Sequence, residues 1–321
     1  MAETFTRAYQ SPDTRVTLLG PGWMNFYQTR IRTDAPPSLD LLFTMPNGGV
    51  ERFKGALNSD RAVGTSSGTR VLTKEPDGTM VVTYEGTTWK FDGSGSLISV
   101  DNGKGDWVEI RYGPIGIAST LGPDGPGLRF DIGPDKRLVQ VTKATDPAQF
   151  AHYEFDEAGR LIRATSSTSA LRTYAYDGAS QRITTISDDK GAVLLSLEYD
   201  DKGRVARERD AQGLLDGEAV SYVYEKLPDG STRTTVTYPP SLIEPAWHPI
   251  QIATIDPQFR VRDLRLQPTS TQTFIGRYDW DSVNHRIDLQ NPCPPPSPGP
   301  WQVPFPTVWV VLGLLLRLLV P

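Results

Sequence analysis

The apolar positions of this chain fall in short alternating runs broken by clusters of Gly, Asp, Asn and Pro, and no window shows the apolar spacing of an amphipathic helix. Such runs predict strands. Leu39, Leu41 and Phe43 alternate into Asn47-Gly48-Gly49, a hairpin signal, and Val50 to Phe53 return. The stretch Tyr153 to Ile162 shows the unit in full. Tyr153 and Phe155 stand two apart and share a strand face, Asp156 and Gly159 take the first and fourth positions of a tight turn, and Arg160, Leu161 and Ile162 open the return strand. Asp suits such a turn because its side chain accepts a backbone N–H there, and Gly suits it because it adopts positive φ without strain.

From Thr79 onward this unit recurs. Strand-closing aromatics stand at Phe91, Tyr112, Phe130, Phe155, Tyr176, Tyr199 and Tyr224, at spacings of 21, 18, 25, 21, 23 and 25 residues. Asp92, Asp131, Asp156, Asp177 and Asp200 follow five of them directly, and turn glycines stand at Gly95, Gly159 and Gly203. The return strands carry Leu97, Leu138, Leu161, Ile183 and Val205, and a second set of turns at Asp124-Gly125, Asp188 to Gly191, Asp210 to Gly213 and Asp229-Gly230 closes the other end. Recurrence in this range marks a repeat architecture whose units bury their apolar faces by stacking. The expected fold is all-β, an antiparallel meander. The ring pairs Trp89/Phe91, Tyr153/Phe155, Tyr174/Tyr176 and Tyr222/Tyr224 are expected to stack on equivalent rings of adjacent hairpins, each contact adding about 0.5–1.5 kcal/mol beyond area burial. Asp177 precedes Gly178-Ala179-Ser180-Gln181, which predicts an irregular hairpin.

Phe155-Asp156-Glu157-Ala158-Gly159-Arg160-Leu161 and Tyr199-Asp200-Asp201-Lys202-Gly203-Arg204-Val205 resemble successive repeats of the Rhs family of YD-repeat proteins. The opening is similar to the segment that precedes those repeats, with Arg7-Ala8-Tyr9-Gln10-Ser11 and Gly20-Pro21-Gly22-Trp23 matching an R-x-Y-x-S strand and a G-x-G-W turn. The resemblance runs from about residue 5 to 237, with an echo at Arg277-Tyr278-Asp279-Trp280-Asp281. It implies YD-repeat hairpins in a curved β-shell sheet, one that encapsulates or presents a toxin cargo in intercellular competition, at a secreted or cell-surface location. Few repeats, and the lack of the D-P-x-G segment and cargo domain of the family, imply a truncated member and an incomplete shell. Seven hairpins give about fourteen strands at ~4.8 Å, or roughly 67 Å of sheet, and a cylinder only ~21 Å across if closed. That is too narrow for a folded cargo, so open edges are expected.

Composition and the chain's two ends extend this picture. The 29 Gly and 27 Pro, about 17% of 321 residues against a typical ~12%, fit a chain of many turns. A net charge of −5 gives no basic face for nucleic acid. The single Cys293 excludes an intramolecular disulfide framework, and residues 1–10 do not read as a Sec signal peptide. After Thr237 the repeat loosens through Tyr238-Pro239-Pro240 and Trp247-His248-Pro249, and from Asn291 prolines dominate. The apolar run within 305–320 is shorter than the roughly 20 residues of a spanning helix, so membrane contact there is a minor expectation.

Candidate chemistry is sparse. His152, His248 and His285 lack metal-ligand spacing, so neither a metal nor a cofactor is expected. Gly64-Thr65-Ser66-Ser67-Gly68 matches the letters of a nucleophile elbow, but Val71-Leu72-Thr73 read as a strand where the elbow needs a helix. Acidic pairs such as Asp188/Asp189 and Asp200/Asp201 fall at turn positions. The chain is therefore expected to be structural and non-enzymatic. Its key residues are Phe91, Asp92, Gly95, Phe155, Asp156, Gly159, Arg160, Tyr176, Asp177, Tyr199, Asp200, Gly203 and Arg204. Expected regions are 1–65 (opening segment), 66–237 (repeat sheet), 238–290 (degenerate strands) and 291–321 (Pro-rich linker and apolar tail). Partners would be another shell polypeptide or toxin cargo. The alternative is an adhesion module that binds a glycan or a cell-surface protein.

Overall fold

The computed structural model describes residues 5–290 except 12–13, 47–48, 66–68, 168–170, 212, 214–216, 241–244, 258–260 and 281–285; for Tyr278, Trp280 and 286–290 it describes the backbone alone. Cys293, His285 and the 305–320 run lie outside the described residues, as does most of the Gly64–Gly68 stretch. The chain is all-β, in two compact units, Met1–Ala192 and Val193–Leu315. Among the described residues no helix is long and apolar enough to cross a membrane.

In the first unit a meander of thirteen antiparallel strands runs in sequence order from Arg61–Val63 to Ile183–Ser187. Three further sheets come from the opening segment: Arg7–Tyr9 pairs with Trp23–Asn25, Val16–Thr17 with Gly20–Pro21, and Arg30–Thr33, Leu41–Thr44 and Val50–Phe53 form a three-stranded sheet. Val71–Lys74 is the strand the sequence predicts there. In the second unit a meander of its own runs in sequence order from Val193–Tyr199 to Arg286–Gln290. Neither unit's sheet closes on itself.

A β-bulge recurs just before the turn in most hairpins, between Lys90 and Phe91, Arg111 and Tyr112, Glu154 and Phe155, Ala175 and Tyr176, and Glu198 and Tyr199. The bulge adds one residue to the return strand, so buried positions there fall three apart rather than two. Leu97 and Val100, Leu138 and Val141, Leu161 and Ala164, and Ile183 and Ile186 are all buried on this spacing. These eight side chains are the inner rows of the first unit's sheet.

The opening segment lies across the turn ends of the hairpins, with Tyr9 at the turn after Asp177 and Ile31 at the turn after Asp92. The Tyr9 hydroxyl donates to the Gln181 carbonyl at 2.6 Å and accepts from the Ile183 N–H at 3.2 Å. Leu138 N–H donates to the Leu18 carbonyl at 2.8 Å, and Ile31 N–H to the Gly95 carbonyl at 2.9 Å. Two glycines make this close approach possible. A Cβ on Gly20 would stand 2.5 Å from the Gly159 carbonyl oxygen, and one on Gly95, at φ +83°, would stand 1.9 Å from that of Ile31. Tyr9, Leu19, Trp23 and Ile31 are the side chains this strap buries.

Candidate functional site

The candidate site is the repeated turn and what it holds. In the hairpin at Asp156, Gly159 N–H donates to the Asp156 carbonyl at 2.8 Å, closing the tight turn, and Asp156 N–H donates to the Arg160 carbonyl at 3.0 Å. Gly159 has φ +76°, so Asp156 and Gly159 hold the turn positions the sequence predicts. The Asp156 carboxylate then faces its own turn: Oδ1 accepts from Arg160 N–H at 2.8 Å and Oδ2 from Arg160 Nε at 2.7 Å. Asp200, Gly203 and Arg204 repeat this geometry, with Arg204 N–H and Nε both 2.8 Å from the Asp200 carboxylate. Burial pushes each carboxyl up, but the Arg N–H and guanidinium outweigh it and hold Asp156 and Asp200 below the usual carboxylate range.

The arginine fixed in this way reaches the next hairpin. The Arg160 guanidinium lies 4.8 Å from the Tyr176 ring centroid, and its Nη1 donates to the Gly178 and Ser180 carbonyls at 2.7 Å each. Arg204 stacks on Tyr224 at 4.2 Å, and Arg137 on Phe155 at 5.7 Å. The ring answers in the opposite direction through its hydroxyl. Tyr176 donates to the Leu161 carbonyl at 2.7 Å, Tyr224 to Val205 at 3.0 Å and Tyr112 to Leu97 at 2.9 Å. In each case the acceptor is the first residue of the preceding return strand. Burial pushes the Tyr112 and Tyr224 phenols up to about 12 and raises that of Tyr176 further, so all three stay protonated donors. A guanidinium over a partly desolvated ring contributes about 0.5–2 kcal/mol. Asp, Gly, Arg and Tyr thus form one bracket: the first two shape a turn, the third spans to the next ring, and the hydroxyl ties back.

Other predicted positions depart from this scheme in instructive ways. The Asp92 turn keeps its backbone bonds, Gly95 N–H to the Asp92 carbonyl at 2.9 Å, but Ser96 stands where Arg does elsewhere, and Asp92 Oδ1 accepts from Ser94 and Ser96 N–H instead. Asp177 closes a turn one residue longer, with its N–H on the Arg182 carbonyl, which is the irregularity its sequence predicts. Tyr199 pairs with Val205 across its hairpin. Phe130-Asp131 is not at the turn at all. Asp131 lies within the strand Gly125–Ile132, and Gly133 to Arg137 make the turn, with Lys136 at φ +63° in the glycine position.

Sequence reasoning missed Arg137 for that reason, since Gly-Pro-Asp-Lys-Arg hides the signature. A usable signal was present: Arg137, Arg160 and Arg204 precede their stacked rings by 18, 16 and 20 residues. The expected stacking of repeat rings on one another is replaced by a different arrangement. Trp89 and Phe91 pack on Phe43, Phe130 on Phe5 and Tyr27, Tyr153 on Phe5 and Tyr174 on Trp23, so these rings meet the opening segment. In the pairs Tyr153/Phe155 and Tyr174/Tyr176 the first ring packs on the strap and the second takes the arginine. Among the described residues no group of His, Cys, Asp and Glu is placed to hold a metal ion.

No protein-family model matches the chain, and no curated protein matches it. Among solved structures, that of TcdB2-TccC3 without its hypervariable C-terminal region is similar at 10% identity over 78% of this chain, with a TM-score of 0.37. TcdB2-TccC3-TEV is similar at 11% identity over 78% of the chain, TM-score 0.30, and TcdB2-TccC3-Cdc42 at 13% over 77%, TM-score 0.32. The chain spans 15%, 18% and 16% of the length of those three chains. At these scores the likenesses carry no weight for function.

Proposed function

We propose that this chain is a structural YD-repeat protein of Rhs type, a section of β-shell wall that encloses or presents a toxin cargo in competition between cells. One observation carries the reading. The charged and hydroxyl groups of the signature are consumed in joining one hairpin to the next: Asp156 holds Arg160, Arg160 holds the ring and carbonyls of the following hairpin, and Tyr176 binds back to Leu161. A wall assembled in this way needs no catalytic group, and an enzymatic role is not proposed. Partners on this reading are a second shell polypeptide or the cargo, and the working location is secreted or cell-surface.

A wall section with unpaired strand edges should associate with itself or with a partner through them. Size-exclusion chromatography with light scattering on the purified full chain is expected to give a mass that rises with concentration. A stable monomer at every concentration, melting in one cooperative step, would contradict the open wall. Prolonged incubation of the same sample should leave the chain intact; specific self-cleavage would defeat the non-enzymatic reading.

A further inference from the structure

We propose that a cleft in the first unit binds a small organic anion, one with a phosphate, sulfate or carboxylate head and a compact apolar body. The cleft has a volume of about 630 Å³ and lies between the opening segment and the hairpins that carry Ser96 and Tyr112. Arg15, Arg30 and Arg32 line it, and no Asp or Glu does. This stands out in a chain of net charge −5, where arginines such as Arg52, on Asp34 and Asp40, and Arg70, on Glu51, are set on carboxylates.

Arg30 and Arg32 stand two apart on the strand Arg30–Thr33, so both side chains leave the same side of it. Both are exposed, and neither is in an ion pair among the described residues. Arg15 donates to the Thr44 hydroxyl at 2.9 Å, and Thr44 is the cross-strand partner of Arg30. Thr29, 1% exposed, lines the same cleft, and its hydroxyl has no hydrogen-bond partner among the described residues. The Arg30 and Arg32 guanidinium groups, side by side without an ion-pair partner among the described residues, favour an oxyanion, which a guanidinium can grip through two parallel N–H bonds.

The rest of the lining sets the body of the ligand. Of the apolar lining, Val16 is 73% exposed and Tyr112 44% exposed, while Ile117 is buried. An inorganic ion would leave this apolar surface wet; an apolar group attached to the anion would cover it. A volume within the ~300–1,000 Å³ of small-molecule sites fits such a ligand, and the acidic chain as a whole does not suit a nucleic-acid polymer.

The test is isothermal titration calorimetry of the full chain with three probes: phenyl phosphate, inorganic phosphate and phenol. Phenyl phosphate is expected to bind one per chain, about fivefold tighter than inorganic phosphate, with no heat from phenol. The double variant Arg30→Gln, Arg32→Gln should weaken phenyl phosphate about tenfold or more at an unchanged melting temperature. Arg163→Gln, which changes an exposed arginine outside the cleft, should have no effect. Absence of phenyl phosphate binding, equal affinity for inorganic phosphate, or full binding by the double variant would each overturn the proposal.

Discussion

The two units use the same hairpin and differ in what lies against it. In the first, the opening segment covers the inner rows, and Leu97, Leu138, Leu161, Ile183 and Ile186 are excluded from solvent to 1% or less. In the second, the most buried apolar side chains, from Val236 and Ala253 to Leu264, retain 2–8% exposure. The bracket is common to both, since Asp200, Arg204 and Tyr224 reproduce Asp156, Arg160 and Tyr176. Turn chemistry therefore sets the hairpin, while a covering segment determines how dry its inner face becomes.

One position shows the difference sharply. Three residues after the first return-strand aliphatic, the first unit places Val100, Val141, Ala164 or Ile186; the second unit places Glu208 after Val205. Glu208 sits half-buried with the Tyr222 hydroxyl 3.0 Å from its Oε2. Burial pushes its carboxyl up, the Tyr222 hydrogen bond opposes this, and the Asp210 charge adds to the rise. A charge on this row is a penalty that the first unit avoids.

The largest expected effect separates the units. Trp23→Ala removes a fully buried ring that packs on Tyr9 and Tyr174, and should cost about 3–5 kcal/mol. Hydrogen exchange should rise across the first unit's hairpins and remain unchanged in 193–290. Equal loss of protection in both would mean that the strap is not what dries the first sheet. A smaller, paired effect tests the strap's contact with the turns. Gly95 and Gly191 have φ of +83° and +79°, but only at Gly95 would a Cβ meet a backbone atom. Gly191→Ala should cost about 1 kcal/mol for its φ alone, and Gly95→Ala roughly 3 kcal/mol or more in chemical denaturation. Equal costs would deny the close approach of Ile31.

How much of this was legible follows from the range of each interaction. The turn residues Asp156, Gly159, Asp200 and Gly203 were readable because a tight turn is decided within four residues. The strict two-residue alternation was not correct for the return strands, because a bulge is set by the partner strand and shows in sequence only as the three-residue spacing of pairs such as Leu161 and Ala164. The aromatic opening was legible as a cluster, but its destination was not. Contacts such as Tyr9 to Gln181 span 172 residues, and nothing local in either partner announces them. Phe130-Asp131 shows the opposite error, where the right letters fall two residues before the real turn.

The smallest effects concern protons, and their signs differ. A raised carboxyl pKa at Glu208 means the folded chain holds a proton more tightly than the unfolded one, so stability falls as pH rises from the usual ~4.3 through the folded value. Glu208→Gln should therefore stabilise the chain at pH 7 by about 1 kcal/mol, with no gain at a pH below the usual value. Asp156 and Asp200 are depressed, so their contribution is complete above ~3.9 and is lost as pH falls through their folded values. In the Asp156→Asn, Asp200→Asn double variant the acid limb of the stability curve should flatten. A variant curve parallel to the parent's would show that these carboxylates are not stabilised by their turns.

The central claim is that the signature joins one hairpin to the next, and a double-mutant cycle on Arg160 and Tyr176 tests it most directly. Arg160→Met keeps most of the aliphatic stem, Tyr176→Leu removes ring and hydroxyl, and denaturant unfolding of the four chains gives their coupling. The bracket predicts about 1 kcal/mol or more between the two positions. Additive effects within about 0.3 kcal/mol would contradict it, leaving Asp156 and Arg160 as residues of their own turn alone.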